Sequence, residues 1–238
     1  MVLIKLFCMY KYMNIVILLH ATVNTQDNIS WLKQRNSKER KEMYDTKIRN
    51  WLDKTNFKIV VVENSGHKFE NFRKPEDVNK KSGDFSELIN DRFEIISFKY
   101  SKEQEKIMSK IVVKGQHEIL SLEYACKNSS LIKNCDYLVK INGRYFIPSF
   151  EKILTMELKD RKVDFIIQSL LWRNMVRSEI CGCSKEKINS IFYSPLKNDE
   201  FEQEIMDRMK GSNSILKLPK MKLDKKTRMG AGPLMEYL

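Results

Sequence analysis

Asn142-Gly143-Arg144, directly after the apolar run Tyr137-Leu-Val-Lys-Ile141, is the place in this chain where residue types and spacing best suit chemistry. Arg144 carries a planar guanidinium fork that matches a pair of phosphate oxygens, and Lys140 adds a point charge. Gly143 lets the backbone turn sharply and approach a ligand. Lys114-Gly115 opens a helical pattern, where backbone amides already favour anions. Together these residues describe a cationic turn suited to a diphosphate. A departing diphosphate gathers negative charge, and preorganised donors aimed at that charge are a large catalytic effect. The competing reading is a structural bridge from Arg144 to Asp136 or Glu118.

Four further groups could complete a site. Thr22 and Asn24 follow one strand-like run, and Glu63, Asn64 and Ser65 follow another, so all five could flank a nucleotide; such residues are also common turn formers. Glu118 and Glu123, on the helix after Lys114, could meet ribose or sugar hydroxyls or remain surface carboxylates. Asn198-Asp-Glu-Phe-Glu202 opens a helix and offers a base for an attacking hydroxyl, Glu202 first and Asp199 second. Helix starts also collect acids for dipole reasons alone. Trp172, Arg173 and Arg177 suit a sugar ring or an anionic saccharide, and Trp172 would fit a core equally well.

Metal chemistry is poorly supported. His20, His67 and His117 are too scattered to argue a zinc site, and Cys181-Gly-Cys183 has no matching pair. The five cysteines are an odd number without secreted-scaffold spacing, which points to reduced, packed thiols and a cytoplasmic setting. No metal ligand set and no bound cofactor are expected.

The elements that must position these residues alternate. Ile15 to Leu19, Phe57 to Val62, Phe93 to Phe98, Tyr137 to Ile141, Val163 to Ile167 and Glu179 to Cys183 read as strands. Ser37 reads as an N-cap, with Tyr44, Ile48, Trp51 and Leu52 at helical spacing. Helices are also expected over Phe85 to Ile89, from Lys114, over Phe150 to Leu158 and over Glu200 to Met209. This alternation predicts one α/β domain with a mostly parallel sheet. Ligands of such sheets sit beyond the carboxyl ends of the strands. The loops Ala21 to Asn24, Glu63 to His67 and Asn142 to Tyr145 should therefore share one rim. The expected organisation is a leader over residues 1–12, optional if Met13 is the start, a domain over 13–209 and a basic tail over 210–238.

A chain of 238 residues, 42% hydrophobic and 31% charged, is globular rather than disordered. Its net charge of +12 suits a phosphorylated substrate, nucleic acid or an anionic membrane met through the tail. Lysine as a default surface residue explains the same charge. No RNA-recognition, KH, helix-turn-helix or zinc-finger signature is present, so no specific nucleic acid is expected. Lys5 and Lys11 interrupt the apolar run from Met1 to Leu19, which falls short of a membrane span.

Four segments carry a resemblance: Ile17-Leu-Leu-His-Ala-Thr-Val-Asn24, Phe57-Lys-Ile-Val-Val-Val-Glu-Asn-Ser-Gly66, Lys114-Gly-Gln-His-Glu118 and Asp136-Tyr-Leu-Val-Lys-Ile-Asn-Gly-Arg-Tyr-Phe146. Their order resembles a family of small glycosyltransferase-like proteins of the GT-A type, from bacterial surface-polysaccharide loci and large DNA viruses. The resemblance runs from about Met13 to Phe192, and Lys-x-x-Gly-Arg-Tyr is its most specific part. It implies a Rossmann-like fold and transfer of a sugar from a nucleotide-sugar donor to a saccharide or glycoconjugate acceptor. Many GT-A enzymes hold a divalent metal on an Asp-x-Asp pair after such a strand. Here Asn142 and Arg144 stand in that place, which predicts a diphosphate held without metal; the alternative that the missing pair leaves open is a catalytically degenerate transferase fold acting as a binding subunit.

Overall fold

The computed structural model describes residues 13–24, 36–73, 85–100, 114–170, 175–193, 195, 197, 198, 200–228 and 234–238. Residues 1–12, Asp199, Trp172 and Arg173 lie outside that set. Ten strands are described: β1 (Ile15–Ala21), β2 (Lys58–Glu63), β3 (Phe85–Asn90), β4 (Phe93–Ser97), β5 (Tyr137–Asn142), β6 (Phe165–Leu170), β7 (Met175–Ser184), β8 (Ile215–Leu218), β9 (Lys222–Arg228) and β10 (Leu234–Tyr237). The longer helices are α1 (Ser37–Lys54), α2 (Lys114–Asn128), α3 (Phe150–Leu158) and α4 (Phe201–Met209).

Apolar runs with no polar alternation need cover on both faces, and β1, β2 and β5 receive it. They lie side by side in an eight-stranded sheet of order β3-β4-β2-β1-β5-β7-β6-β8. β4, β2, β1 and β5 run parallel, as do β6 and β8. β3 is antiparallel to β4, and β7 is antiparallel to both β5 and β6. Four of the seven pairings are thus parallel, and the chain forms the single α/β domain expected.

One face packs under α1 and α3, through Tyr44, Ile48, Trp51, Phe150 and Leu154 against Ile17, Leu19, Ile59 and Val139. The other packs under α2 and α4, through Ile119, Leu122, Ala125, Phe201 and Ile205 against Val16, Leu18, Val60 and Leu138. Val16, Ile17, Leu18 and Leu19 are fully buried. The continuous run is therefore a strand between two helical layers.

Three expectations change. Phe85–Asn90 is an edge strand, not a helix, because it zips antiparallel onto β4 from Phe85↔Ser97 to Asn90↔Phe93. A run this short has no periodicity of its own to resist the ladder. The cap of α1 is Asn36, whose side chain accepts from the Lys38 and Glu39 amides, one residue before the expected Ser37. The basic segment after Met209 is built into the fold: β8 pairs with β6, while Met221, Leu223 and Leu238 enter the core beneath α1. Lys47 of α1 closes on Asp224 of β9 at 2.7 Å. Among the described residues, no helix is long and apolar enough to cross a membrane.

Candidate active site at the carboxyl rim of the sheet

Register places the three polar loops together. Ala21 pairs with Glu63, and His20 pairs with Asn142, so β1, β2 and β5 end at one level. The gap between β1 and β5 is where the chain order reverses, since β2 and β4 lie on one side of β1 and β5 to β8 on the other. Open α/β sheets bind ligands at such a switch point.

Glu63 organises the left half of this rim. Its side chain is wholly buried and accepts from the amides of Val23 (2.9 Å), Ser65 (3.0 Å) and His67 (2.7 Å), and from the Ser65 hydroxyl. Burial raises the Glu63 pKa above its ordinary value, only partly opposed by these donors. The Thr22 hydroxyl donates to Asn64 Oδ1 at 2.7 Å, and Ser65 Oγ accepts from the Asn24 amide at 2.9 Å. Asn64 continues to Ser121 Oγ on α2 at 2.9 Å. Thr22, Asn24, Glu63, Asn64 and Ser65 therefore form one hydrogen-bonded unit. Its carboxylate is spent on backbone amides, so Glu63 shapes the loops that would meet a ligand.

Arg40 and Tyr44, one turn apart on α1, close this unit from the side. Arg40 Nε donates to the Thr22 carbonyl at 2.7 Å, and Arg40 Nη2 reaches the Tyr44 hydroxyl at 3.2 Å. Sequence reasoning left both out, although an Arg and a Tyr spaced i, i+4 near the start of a helix facing the rim were legible.

The Asn142-Gly143-Arg144 turn is held close to β1. The Gly143 amide donates to His20 O at 2.9 Å. A Cβ at Gly143 would stand 2.8 Å from that same oxygen and 3.2 Å from the Tyr44 ring, so only glycine fits. Asn142 Oδ1 accepts from both the backbone amide (3.2 Å) and Nε (3.1 Å) of Arg144. Arg144 is buried, with its fork set by this amide. The Tyr145 carbonyl accepts from Trp51 Nε1 at 2.9 Å, which ties the end of the turn to α1.

Lys140 does not join Arg144 in the turn. It is 1% exposed, and its ammonium binds Glu118 of α2 and the Ser178 carbonyl of β7. Burial pulls this ammonium toward neutrality, but Glu118, together with Cys181 and Glu179, more than offsets the effect and the pKa rises. The Ser178 hydroxyl in turn donates to Glu202 Oε1 at 2.5 Å on the first turn of α4. Glu118, Lys140, Ser178 and Glu202 thus form a chain of polar contacts beneath the turn. His20 Nδ1 stands 4.0 Å from Glu118 Oε1 at its other end.

Of the other sequence candidates, Gly115 is buried in the first turn of α2, whose first residue is Lys114. Glu123 is bound by Lys127 at 2.6 Å, one turn along the same helix. Arg177 lies on β7 and is half-buried. Asp136 accepts from the Asn14 amide at 2.8 Å. Ser178 and Glu179 were missed, because only the pairing of β7 with β5 brings them to the turn; Tyr145 adjoins Arg144 in the chain, but only the packing shows that its side chain is buried.

The turn offers an amide and a cation where a metal would need carboxylates. Among the described residues, no group of three or more His, Cys, Asp and Glu side chains is placed to hold a metal ion. The residues present do not fit a metal on this turn.

No family model matches the chain, and no curated protein matches it. Among solved structures, it is similar to a protein assigned as a nucleotide-diphospho-sugar transferase from Desulfovibrio desulfuricans, with 12% identity and a TM-score of 0.49 over 87% of this chain and 80% of that one. A cytidylyltransferase from Leptospira borgpetersenii is similar at 13% identity and a TM-score of 0.46, covering 87% and 76%. A 4-diphosphocytidyl-2C-methyl-D-erythritol synthase from Anaerococcus prevotii is similar at 10% and 0.45, covering 87% and 86%.

Proposed function

We propose that this chain is a GT-A-like glycosyltransferase that moves a sugar from a nucleotide-sugar donor to a saccharide acceptor without a metal. The observation that carries the reading is the turn at the switch point. Arg144, oriented by Asn142, stands beside the Thr22–Asn64 loops where β1, β2 and β5 end. In this reading the nucleoside lies against the loops after β1 and β2. The diphosphate reaches Arg144 and the backbone amides at the start of α2, where Lys114 adds charge.

The chemistry follows from charge placement. Glu202 has Oε1 fixed by Ser178, and its second oxygen takes the proton of the acceptor hydroxyl. The acceptor oxygen bonds to the anomeric carbon, and the bond from that carbon to the diphosphate oxygen breaks. The electron pair leaves with the diphosphate, whose added charge meets the Arg144 guanidinium. Lys140 and Glu118 act from below by holding Ser178, and through it Glu202, in place. Asp199 remains the second candidate for the base.

A donor-hydrolysis screen across UDP-, GDP- and CMP-sugars in EDTA tests the proposal. Slow hydrolysis of one donor in EDTA, abolished by Arg144→Ala, is the expected result. Hydrolysis that needs manganese would overturn the metal-free assignment, and no hydrolysis with any donor would overturn the transferase reading.

A further inference from the structure

β7 leaves its ladders at one place. Between the pairs Ile167↔Cys181 and Ser169↔Val176, β6 contributes only Gln168 while β7 contributes Arg177 to Ile180. Ile180 pairs with Ile141 of β5, which leaves Arg177-Ser178-Glu179 outside both ladders. Bulges of this kind re-aim side chains next to sites. Here the extruded residues are all polar, and they emerge beside the Asn142-Gly143-Arg144 turn.

Ser178 is anchored to Lys140 and Glu202. Its neighbours are not. Among the described residues, neither the Arg177 guanidinium nor the Glu179 carboxylate has a hydrogen bond or ion pair, although both residues are half-buried. Next to them, on a side chain that is wholly buried, the Tyr145 hydroxyl has no hydrogen-bond partner among the described residues. Arg144, Glu179, Arg177 and Tyr44 are the charged and polar groups within electrostatic reach of that phenol. Burial pushes its pKa up to about 12, so at neutral pH it is a hydrogen-bond donor. A buried donor without an acceptor is unfavourable in the folded protein and points to a ligand oxygen.

We infer that Tyr145, Arg177 and Glu179 form the acceptor subsite and that it takes an acidic saccharide, one bearing a carboxylate or phosphate beside free hydroxyls. Arg177 meets the anionic oxygen, Tyr145 donates to it or to its neighbour, and Glu179 accepts from an adjacent hydroxyl. A neutral sugar would leave Arg177 unmatched. Glu202 is linked to this bulge through the Ser178 hydroxyl. Reaching the phenol requires the Arg177 and Glu179 side chains, which lie outside both ladders, to move aside while Ser178 stays anchored. The inference rests on the transferase reading for the word acceptor; the chemistry of the subsite stands on its own.

The test is calorimetric titration with glucuronate, glucose 6-phosphate and glucose, on the wild type, Tyr145→Phe, Arg177→Gln and Glu179→Gln, with UDP run alongside. Both acidic sugars are expected to bind and glucose not; their ratio distinguishes a carboxylate from a phosphoryl preference. Tyr145→Phe keeps the packed ring and removes only the orphaned hydroxyl. It should weaken the acidic sugars by about ten- to a hundredfold while the ligand-free melting temperature holds or rises. Arg177→Gln should abolish the preference over glucose, and Glu179→Gln should weaken both acids. UDP affinity should be unchanged in all three variants. Equal binding of glucose, no binding of either acid, or a Tyr145→Phe protein that melts lower with its affinity intact would overturn the inference. Loss of UDP together with the acids would assign these residues to the donor, and the subsite would fall while the transferase reading stood. Acidic sugars bound by a protein that ignores every nucleotide would do the reverse.

Discussion

Replacing Lys140 with Met asks whether this lysine is a phosphate ligand or the keystone of a buried pair. Its side chain is 1% exposed and that of Glu118 is 12% exposed, and the two are in direct contact. Removing one partner of a buried pair typically costs about 3–5 kcal/mol, because the other charge is left uncompensated. The residual exposure of Glu118 places this case near the lower end, about 3 kcal/mol. For a chain of this size, that corresponds to a fall in melting temperature of roughly 6–12 °C. Lys140→Met with Glu118→Leu should recover most of the loss, since an apolar pair of similar volume is often neutral relative to an ion pair. Urea unfolding of the wild type, both single variants and the double variant closes the cycle. The pH dependence has a definite sign: the Lys140 pKa is raised above 10.5, so its contribution is complete below that value and is lost as pH rises through the folded pKa. A stable Lys140→Met protein that loses only its affinity for nucleotide diphosphates would refute this account and return Lys140 to the donor site.

Arg144→Ala should weaken nucleotide-diphosphate binding by about ten- to a hundredfold while the nucleoside binds almost unchanged, with Arg144→Lys recovering only part; equal losses for both ligands would make Arg144 a purely structural residue. Nucleotide binding should survive EDTA, and a loss that manganese restores would show carboxylates holding a metal elsewhere. Gly143→Ala forces a Cβ to within 2.8 Å of His20 O, which should cost roughly 1–3 kcal/mol in urea unfolding; an unchanged midpoint would show that the turn can move. Glu63 has a raised pKa, so the folded state holds its proton more tightly than the unfolded state, and stability falls as pH rises from the ordinary value of 4.5 through the folded one. Glu63→Gln should remove that slope and cost about 1–3 kcal/mol, because its amide faces backbone donors that need an acceptor; a slope that persists would assign the titration to another group.

The elements legible in the chain were those whose signal is local. Ile15 to Leu19 and Tyr137 to Ile141 are unbroken apolar runs, and strands buried on both faces need nothing else to be recognised. Phe150 to Leu158 carries its own helical stripe, and the helix begins and ends where the spacing placed it. Polar residues after three strong strands were enough to put Thr22, Asn64 and Arg144 on one rim, because parallel strands end on the same side. What escaped was set by pairing between distant segments. Phe85–Asn90 became a strand because β4 offered it an edge, and β8 joined the sheet because β6 did. Lys140 reads as a surface charge in sequence. Only the packing of α2 over β5 and the pairing of β7 beside it surround it with Glu118 and the Ser178 carbonyl. The extrusion of Arg177, Ser178 and Glu179 arises from a mismatch between two ladders, and register is a property of strand pairs rather than of either strand alone. Residue type therefore announced where an anion could be met. Tertiary packing decided which cations face it and which are held in the core, because burial and pairing are set by neighbours far away in the chain.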